Sequence, residues 1–255
     1  MTPHIFTPEY YEQLGRVEQS HPWSAYMQRL AFHLLDLHSR GAPTRVLDAG
    51  CGAGYFTLRW REHSRIRLAA GVDSSLDALH VSRKRGLATV AAASVVALPF
   101  DEEAFDAVYC ADVLQHLTPD DAHRTCREFA RVLRHSGLLL VRTAARRGLG
   151  ASKHQDTADY QQWEPEKLRA FLEPCGMRIV WLSLVNWLPS LAADLRARGQ
   201  PAPVGDVGLK VALAPVSGLR GALLAAYWRL EKIALLDLGV PILGGHTLLC
   251  LARKL

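Results

Sequence analysis

The run VLDAGCGAGYFT, residues 46 to 57, constrains this chain more than any other stretch. A short apolar segment ends in an acid, glycines follow at every second position, and a helical pattern begins at the aromatics. A glycine-rich turn between a strand and a helix lets a ligand come close to the main chain and leaves helix N-terminal N–H groups free to meet it. A dinucleotide-binding turn starting at Gly50 would need a glycine at position 55, where Tyr55 stands. The third glycine is Gly54, so the spacing predicts a nucleotide-like ligand other than NAD.

The rest of the chain alternates short apolar runs with helical patterns. Strands are expected at 45–49, 68–73, 88–92, 105–111, 137–144, 177–185 and 246–254. Helices are expected at 8–19, 23–40, 54–64, 75–86, 119–134 and 165–174, with Thr118-Pro119 and Glu164-Pro165 marking two starts. Strands apolar on both faces that alternate with helices predict an α/β fold with a doubly wound, mostly parallel seven-stranded sheet. From 186 to 245 that rhythm breaks into Pro- and Gly-rich sequence with helical patterns at 187–198 and 218–236. The expected organisation is N-terminal helices over 1–43, a core over 44–185 plus 246–255, and a helical cap over 186–245 inserted before the last strand.

Composition narrows the function. Apolar residues make up 49% and charged residues 22%, as in an ordinary globular protein. The formal charge of +5 comes from scattered groups such as Arg83-Lys84-Arg85 and Arg142, Arg146, Arg147, without interleaved aromatics. These read as a solvated face and predict no nucleic-acid partner. The five cysteines are dispersed and form no C-x-x-C pair, which predicts neither a disulfide framework nor a metal site. No signal-like or membrane-spanning run is visible, and a cytoplasmic location is expected.

The G-x-G-x-G turn preceded by Asp48 resembles the first motif of the class I S-adenosylmethionine-dependent methyltransferases. Further residues carry the resemblance: Asp73 ending GVDSS, the Leu98-Pro99-Phe100 turn before the fourth strand, and CREFARVLRHSGLLLV at 126–141. It covers 45–145 and extends more weakly to both flanks, where HPWS at 21–24 keeps half of a His-Trp-Trp-Phe signature. The resemblance implies a Rossmann-like methyltransferase fold with S-adenosylmethionine as cofactor. By the same resemblance, Gly50, Gly52 and Gly54 with Cys51 give bare backbone beside the methionyl end, and Asp48 balances its ammonium. Asp73 and the adjacent Ser74 take the ribose. Where the family commonly has Gly-Asp-Ala for adenine, this chain has Ala93-Ser94-Val95, so Ser94 and the Val95 N–H are left to hold the base. Ala111 and Asp112 complete the cofactor set. The bland alternative is that the glycines only turn a strand into a helix and that Asp73 caps the helix after it.

In that family the residues after the fourth strand face the methyl group, here Cys110, Ala111, Asp112, Gln115 and His116. His116 is the candidate general base, since an imidazole titrates near neutrality and can take a proton from a hydroxyl; the alternative is that it packs or caps the turn before Thr118. The Asn/Asp-Pro-Pro-Tyr motif for nucleobase amines is absent, as are the paired glutamates of arginine methyltransferases. The acceptor class expected is a small molecule, amphipathic or aromatic, methylated on oxygen or nitrogen. The other reading that stays open is a protein that binds the cofactor or its demethylated product without catalysis.

Overall fold

The computed structural model describes residues 7–39, 41, 44–146, 160–197, 218–240, 242 and 244–255. Two helices come first, α1 (Pro8–Ser20) and α2 (Pro22–His38), each with proline in its first turn. The core then runs β1 (Arg45–Ala49), α3 (Tyr55–Glu62), β2 (Leu68–Asp73), α4 (Leu76–Lys84), β3 (Val90–Ala92), β4 (Phe105–Ala111), α5 (Pro119–Val132), β5 (Leu133–Ala144), α6 (Pro165–Leu172) and β6 (Met177–Val185). Two more helices, α7 (Trp187–Ala197) and α8 (Gly218–Lys232), precede β7 (Thr247–Lys254). The seven strands form one sheet in the order β3-β2-β1-β4-β5-β7-β6, and β7 alone is antiparallel to its neighbours. The doubly wound sheet predicted from the sequence is the one found.

Most boundaries fall within two or three residues of expectation. The exception is β5, which starts at Leu133 rather than at 137 because Leu133 already pairs with Phe105. Between them Ser136 takes a left-handed conformation (φ +62°), which a side chain with a Cβ disfavours. Thr118 caps α5 through its Oγ1, 3.2 Å from the Asp121 N–H. The acid and base of the CREFARVLR segment hold the Leu-Pro-Phe turn. Glu128 accepts from the Leu98 N–H at 2.6 Å, and Arg131 donates to the carbonyls of Leu98 and Phe100 at 3.0 and 2.7 Å.

Each sheet face buries its own apolar set. Leu47, Val108, Leu139, Val141 and Cys250 pack with Cys126, Phe129 and Leu168 of α5 and α6. On the other face Val46, Tyr109, Leu138 and Leu140 pack with Tyr26, Leu30 and Leu34 of α2, Phe56 and Trp60 of α3, and Trp228 of α8. The alternation is what a strand period of two demands. All five cysteines are free, and four are buried.

Helix α8, between β6 and β7, packs on α2. Trp228 is buried and Leu224 partly so, both against α2, whereas Trp187, Leu191, Leu195 and Leu223 are exposed. The expected cap residues 198–217 lie outside the described residues. What anchors this part is Glu231, 4% exposed, which accepts hydrogen bonds from Tyr26 Oη (2.7 Å), from the N–H groups of Asn186 and Trp187 (both 3.0 Å), and from Tyr227 Oη.

Replacing Ser136 by glycine should relieve the left-handed strain while keeping the Ser136 carbonyl that accepts from Arg253 at 3.1 Å. A net gain of about 0.5–1 kcal/mol, or ~1–3 °C in Tm, is expected after the added freedom of the unfolded chain is subtracted. A melting curve of Ser136→Gly that is unchanged or lower would show that the conformation is not strained.

Candidate functional site

The turn after β1 is fixed by one carbonyl. The N–H groups of Gly50 and Cys51 both donate to Val72 O of β2, at 2.8 and 2.9 Å, which lays the glycine loop over the tip of the neighbouring strand. All three glycines have positive φ, but for different reasons. A Cβ on Gly50 would lie 2.2 Å from Val113 Cγ2, and one on Gly54 2.4 Å from Leu87 Cδ1, so packing requires both. A Cβ on Gly52 would meet nothing within 4 Å, so Gly52 alone faces open space, where a ligand can reach the backbone. Cys51 is buried beneath the loop, and burial pushes its thiol up.

Two carboxylates flank this turn. Asp73, at the end of β2, accepts from the Gly52 N–H through Oδ2 and from the Ser75 N–H through Oδ1, both at 2.8 Å. It thus ties the glycine loop to the start of α4, whose capping residue is Ser75 rather than Asp73. Each oxygen keeps a second lone pair for an incoming hydroxyl. Burial pushes the Asp73 carboxyl up, against the hydrogen bonds from Ser75 and Gly52. Asp48 is 3% exposed on β1 and accepts from Thr57 Oγ1 of α3 at 2.7 Å. Burial, with Asp73 nearby, outweighs Thr57 and Arg142 and pushes its carboxyl up to about 7. Room for this arrangement comes from Gly71, where a Cβ would sit 2.9 Å from Cys51 Sγ and 3.1 Å from Thr57 Oγ1.

The remaining predicted positions lie on neighbouring elements of the sheet edge. Ser74 is exposed between Asp73 and the α4 cap. Beyond β3, Ala93 N donates to Asp73 O at 3.1 Å, which brings the next two residues beside the same strand tip. Ser94 is exposed there, and the Val95 side chain is buried in the core. Ala111 ends β4, and Asp112 follows with φ +57°. His116 sits apart from the buried acids. It is exposed in a single 3₁₀ turn (Leu114–His116) and meets the Tyr160 ring edge-on at 5.6 Å.

The structure corrects one reading of the charges. Arg142 is not part of a solvated face; it is 4% exposed at the end of β5, and its Nη2 donates to Asp112 Oδ2 at 2.5 Å. Its side chain shares the parity of Leu138 and Leu140 and points under α2 and α3. Two more participants differ from the sequence reading: Glu18 was not singled out, and Arg85, placed with Arg83 and Lys84 on a solvated face, is half-buried. Glu18 of α1, half-buried, is pushed up to about 7 by burial, opposed by Arg142 and Arg85. Arg85 donates to Ala53 O of the glycine loop at 3.3 Å and crosses α1 at Gly15, where a Cβ would lie 1.7 Å from its Nη2. That crossing pins α1 across the glycine loop. Gly15 in a helix interior was the available signal, since a helix rarely keeps glycine there without a close neighbour.

Two measurements test this geometry. Gly52→Ala places a methyl in the open approach and should reduce affinity for S-adenosylhomocysteine by more than tenfold, while left-handed strain lowers stability by only about 1–2 kcal/mol. Calorimetry on a folded variant with parental affinity would show that no ligand lies there. The pH dependence follows from Asp48, which keeps its proton in the fold up to about pH 7, whereas the unfolded chain loses it near 3.8. The folded state therefore binds more protons in that window, and ligand-free stability should fall as pH rises from about 4 to 7 and level off above it. Asp48→Asn should flatten part of that slope and leave the part due to Glu18.

Comparison with known proteins adds the family. Residues 47–141 match the model described as "Methyltransferase domain". Over 191 residues the chain is 32% identical to the malonyl-[acyl-carrier protein] O-methyltransferase of Serratia marcescens, covering 73% of this chain and 70% of that protein. The corresponding protein of Hamiltonella defensa is 31% identical over 51% of this chain, and the match spans only 50% of that relative's length. Among solved structures, a putative methyltransferase bound to the Haloferax volcanii Trm112 activator superposes with a TM-score of 0.61 at 17% identity, covering 96% of this chain and 94% of that one. The [4+2]-cyclase SpnF superposes at 0.56 with 23% identity, over 89% of this chain and 81% of its own. No helix among the described residues is long and apolar enough to cross a membrane. With the glycine turn, the strand-tip acids and the sheet order all agreeing, the chain belongs to the class I S-adenosylmethionine-dependent methyltransferases.

Proposed function

We propose that the protein transfers a methyl group from S-adenosylmethionine to an oxygen or nitrogen of a small-molecule acceptor. The observation that carries this reading is the open backbone at Gly52 set between Asp48 and Asp73. When bound, the cofactor supplies a methyl group on a cationic sulfur, a leaving group that departs neutral and needs no acid. The chain's task is then binding and alignment.

In this reading Asp73 accepts the ribose hydroxyls, already held in place by Gly52 and Ser75, with Ser74 beside it. The loop of Gly50, Cys51, Gly52 and Gly54 lies along the methionyl end, and Asp48 gives up its proton when the ammonium arrives. Ser94 and the Val95 N–H meet the adenine edge without a carboxylate. Ala111 and Asp112 line the far side, towards the acceptor. Helices α1 and α2 close the cleft from above, and the segment 186–245 is the acceptor-side cap, its exposed Trp187, Leu191 and Leu195 offering apolar surface. A malonyl-type acyl acceptor fits among the acceptors because relatives named for that substrate share most of the core. A protein that holds the cofactor without turning it over is the competing reading, since one fold hosts several functions.

Conversion of S-adenosylmethionine to S-adenosylhomocysteine against a pool of acyl acids, phenols and amines separates the two. Turnover stimulated by one acceptor is the expected result, and tight cofactor binding with no stimulation by any of them would sink the enzymatic reading. For an acceptor hydroxyl, His116→Ala should lower kcat by about 10²-fold and leave cofactor affinity alone. A parental rate in that variant would assign the chemistry to alignment, with His116 kept for its contact with Tyr160.

A further inference from the structure

We propose that Arg142, with Tyr109 and Trp23 beside it, forms a carboxylate-binding site beneath the N-terminal helices, which takes the carboxylate of a ligand bound in the cleft. The proposal rests on the methyltransferase reading of that cleft. Arg142 Nη2 is used by Asp112, but Nε and Nη1 are buried and have no acceptor among the described residues. Tyr109 Oη and Trp23 Nε1 are likewise buried without a partner among the described residues. These donors are neighbours. The guanidinium carbon lies 4.8 Å from the Trp23 ring centre and 5.4 Å from that of Phe56, and Phe56 is 4.9 Å from Tyr109. Among the described residues, neither Asp48 nor Glu18 comes within ion-pairing distance of Arg142, although both feel its charge.

Leaving a buried donor unsatisfied is unfavourable, more so for a charged one, and folded proteins seldom do it. Several orphaned donors in one cluster of side chains, with Asp112 on one nitrogen of the guanidinium as their charged partner among the described residues, describe a site whose acceptor arrives with the ligand. A planar carboxylate suits a guanidinium held between aromatic rings. A phosphate would bring a second negative charge close to Asp112 and Asp48. Ala111 pairs with Arg142 across β4 and β5, which places Arg142 two strands from Asp48, roughly 10 Å at the backbone. At that distance the carboxylate can come from the amino-acid end of the cofactor or from the acceptor, and the two sources are separable.

The test uses the full chain, S-adenosylhomocysteine, its decarboxylated analogue, and malonate as a small carboxylate probe added to the S-adenosylhomocysteine-loaded protein, all by calorimetry. Arg142→Met, which keeps length and apolar contact with Trp23, should do one of two things. It weakens S-adenosylhomocysteine by about 30-fold or more while sparing the decarboxylated analogue, which assigns the site to the cofactor, or it abolishes malonate binding to the loaded protein, which assigns it to the acceptor. Tyr109→Phe should weaken the same ligand by roughly 3- to 10-fold and carries the test if Arg142→Met does not fold. Equal loss of S-adenosylhomocysteine and its decarboxylated analogue, or no change in any ligand, would overturn the proposal. A parent protein that binds neither nucleoside would instead overturn the methyltransferase reading beneath it.

Discussion

The carbonyl of Val72 organises this molecule. By accepting from both Gly50 and Cys51 it folds the turn after β1 onto the tip of β2, and that one attachment sets the Gly52 N–H against Asp73. It also drives Cys51 down into the space that Gly71 leaves, next to Thr57, whose hydroxyl holds Asp48. Strand tip, loop and first helix turn thus share a single set of contacts. A side chain added at Gly50, Gly54 or Gly71 would collide with Val113, Leu87 or Cys51, so the glycines of this region are demanded mainly by packing, and ligand access is left to Gly52.

Electrostatics follow from that packing. Asp48 and Glu18 have no cation in contact among the described residues, so burial dominates and pushes both carboxyls up to about 7. Arg142 is buried in the same region, and among the described residues Asp112 is its ion-pair partner. A cleft that is short of both charge neutralisation and hydrogen-bond acceptors is suited to a zwitterion, because an ammonium relieves the acids and a carboxylate relieves the arginine.

Much of this was legible in the chain. The strands were readable because buried parallel strands need continuous apolar runs, and the glycine turn was readable because its spacing is incompatible with a side chain. Arg142 was not, since a lone arginine at the end of VLRHSGLLLVRT resembles any solvated strand end, and only the parity shared with Leu138 and Leu140 places it inward. Glu18 and Arg85 lie on helical faces that look polar; their role depends on where α1 crosses α4, a tertiary fact. The helices after β6 were found in sequence, but the packing of Trp228 and Leu224 on α2 rests on a long-range contact that the local pattern does not show.

Glu231 gives that last arrangement a temporal side. Its carboxylate binds Tyr26 of α2 across 205 residues of chain, together with the start of α7. At the ordinary pace of about 5–20 residues per second, a ribosome making this chain releases α2 some ~10–40 s before its partner exists. During that interval the aromatic face of α2, Tyr26 with its stacking position for Trp228, has nothing of α8 to cover it. β5 and β6 wait in the same way for β7, the strand that joins them. The nascent chain therefore carries an unfinished sheet and an uncovered helix until α8 and β7 emerge, and for that interval the apolar surfaces they cover stay open to other contacts.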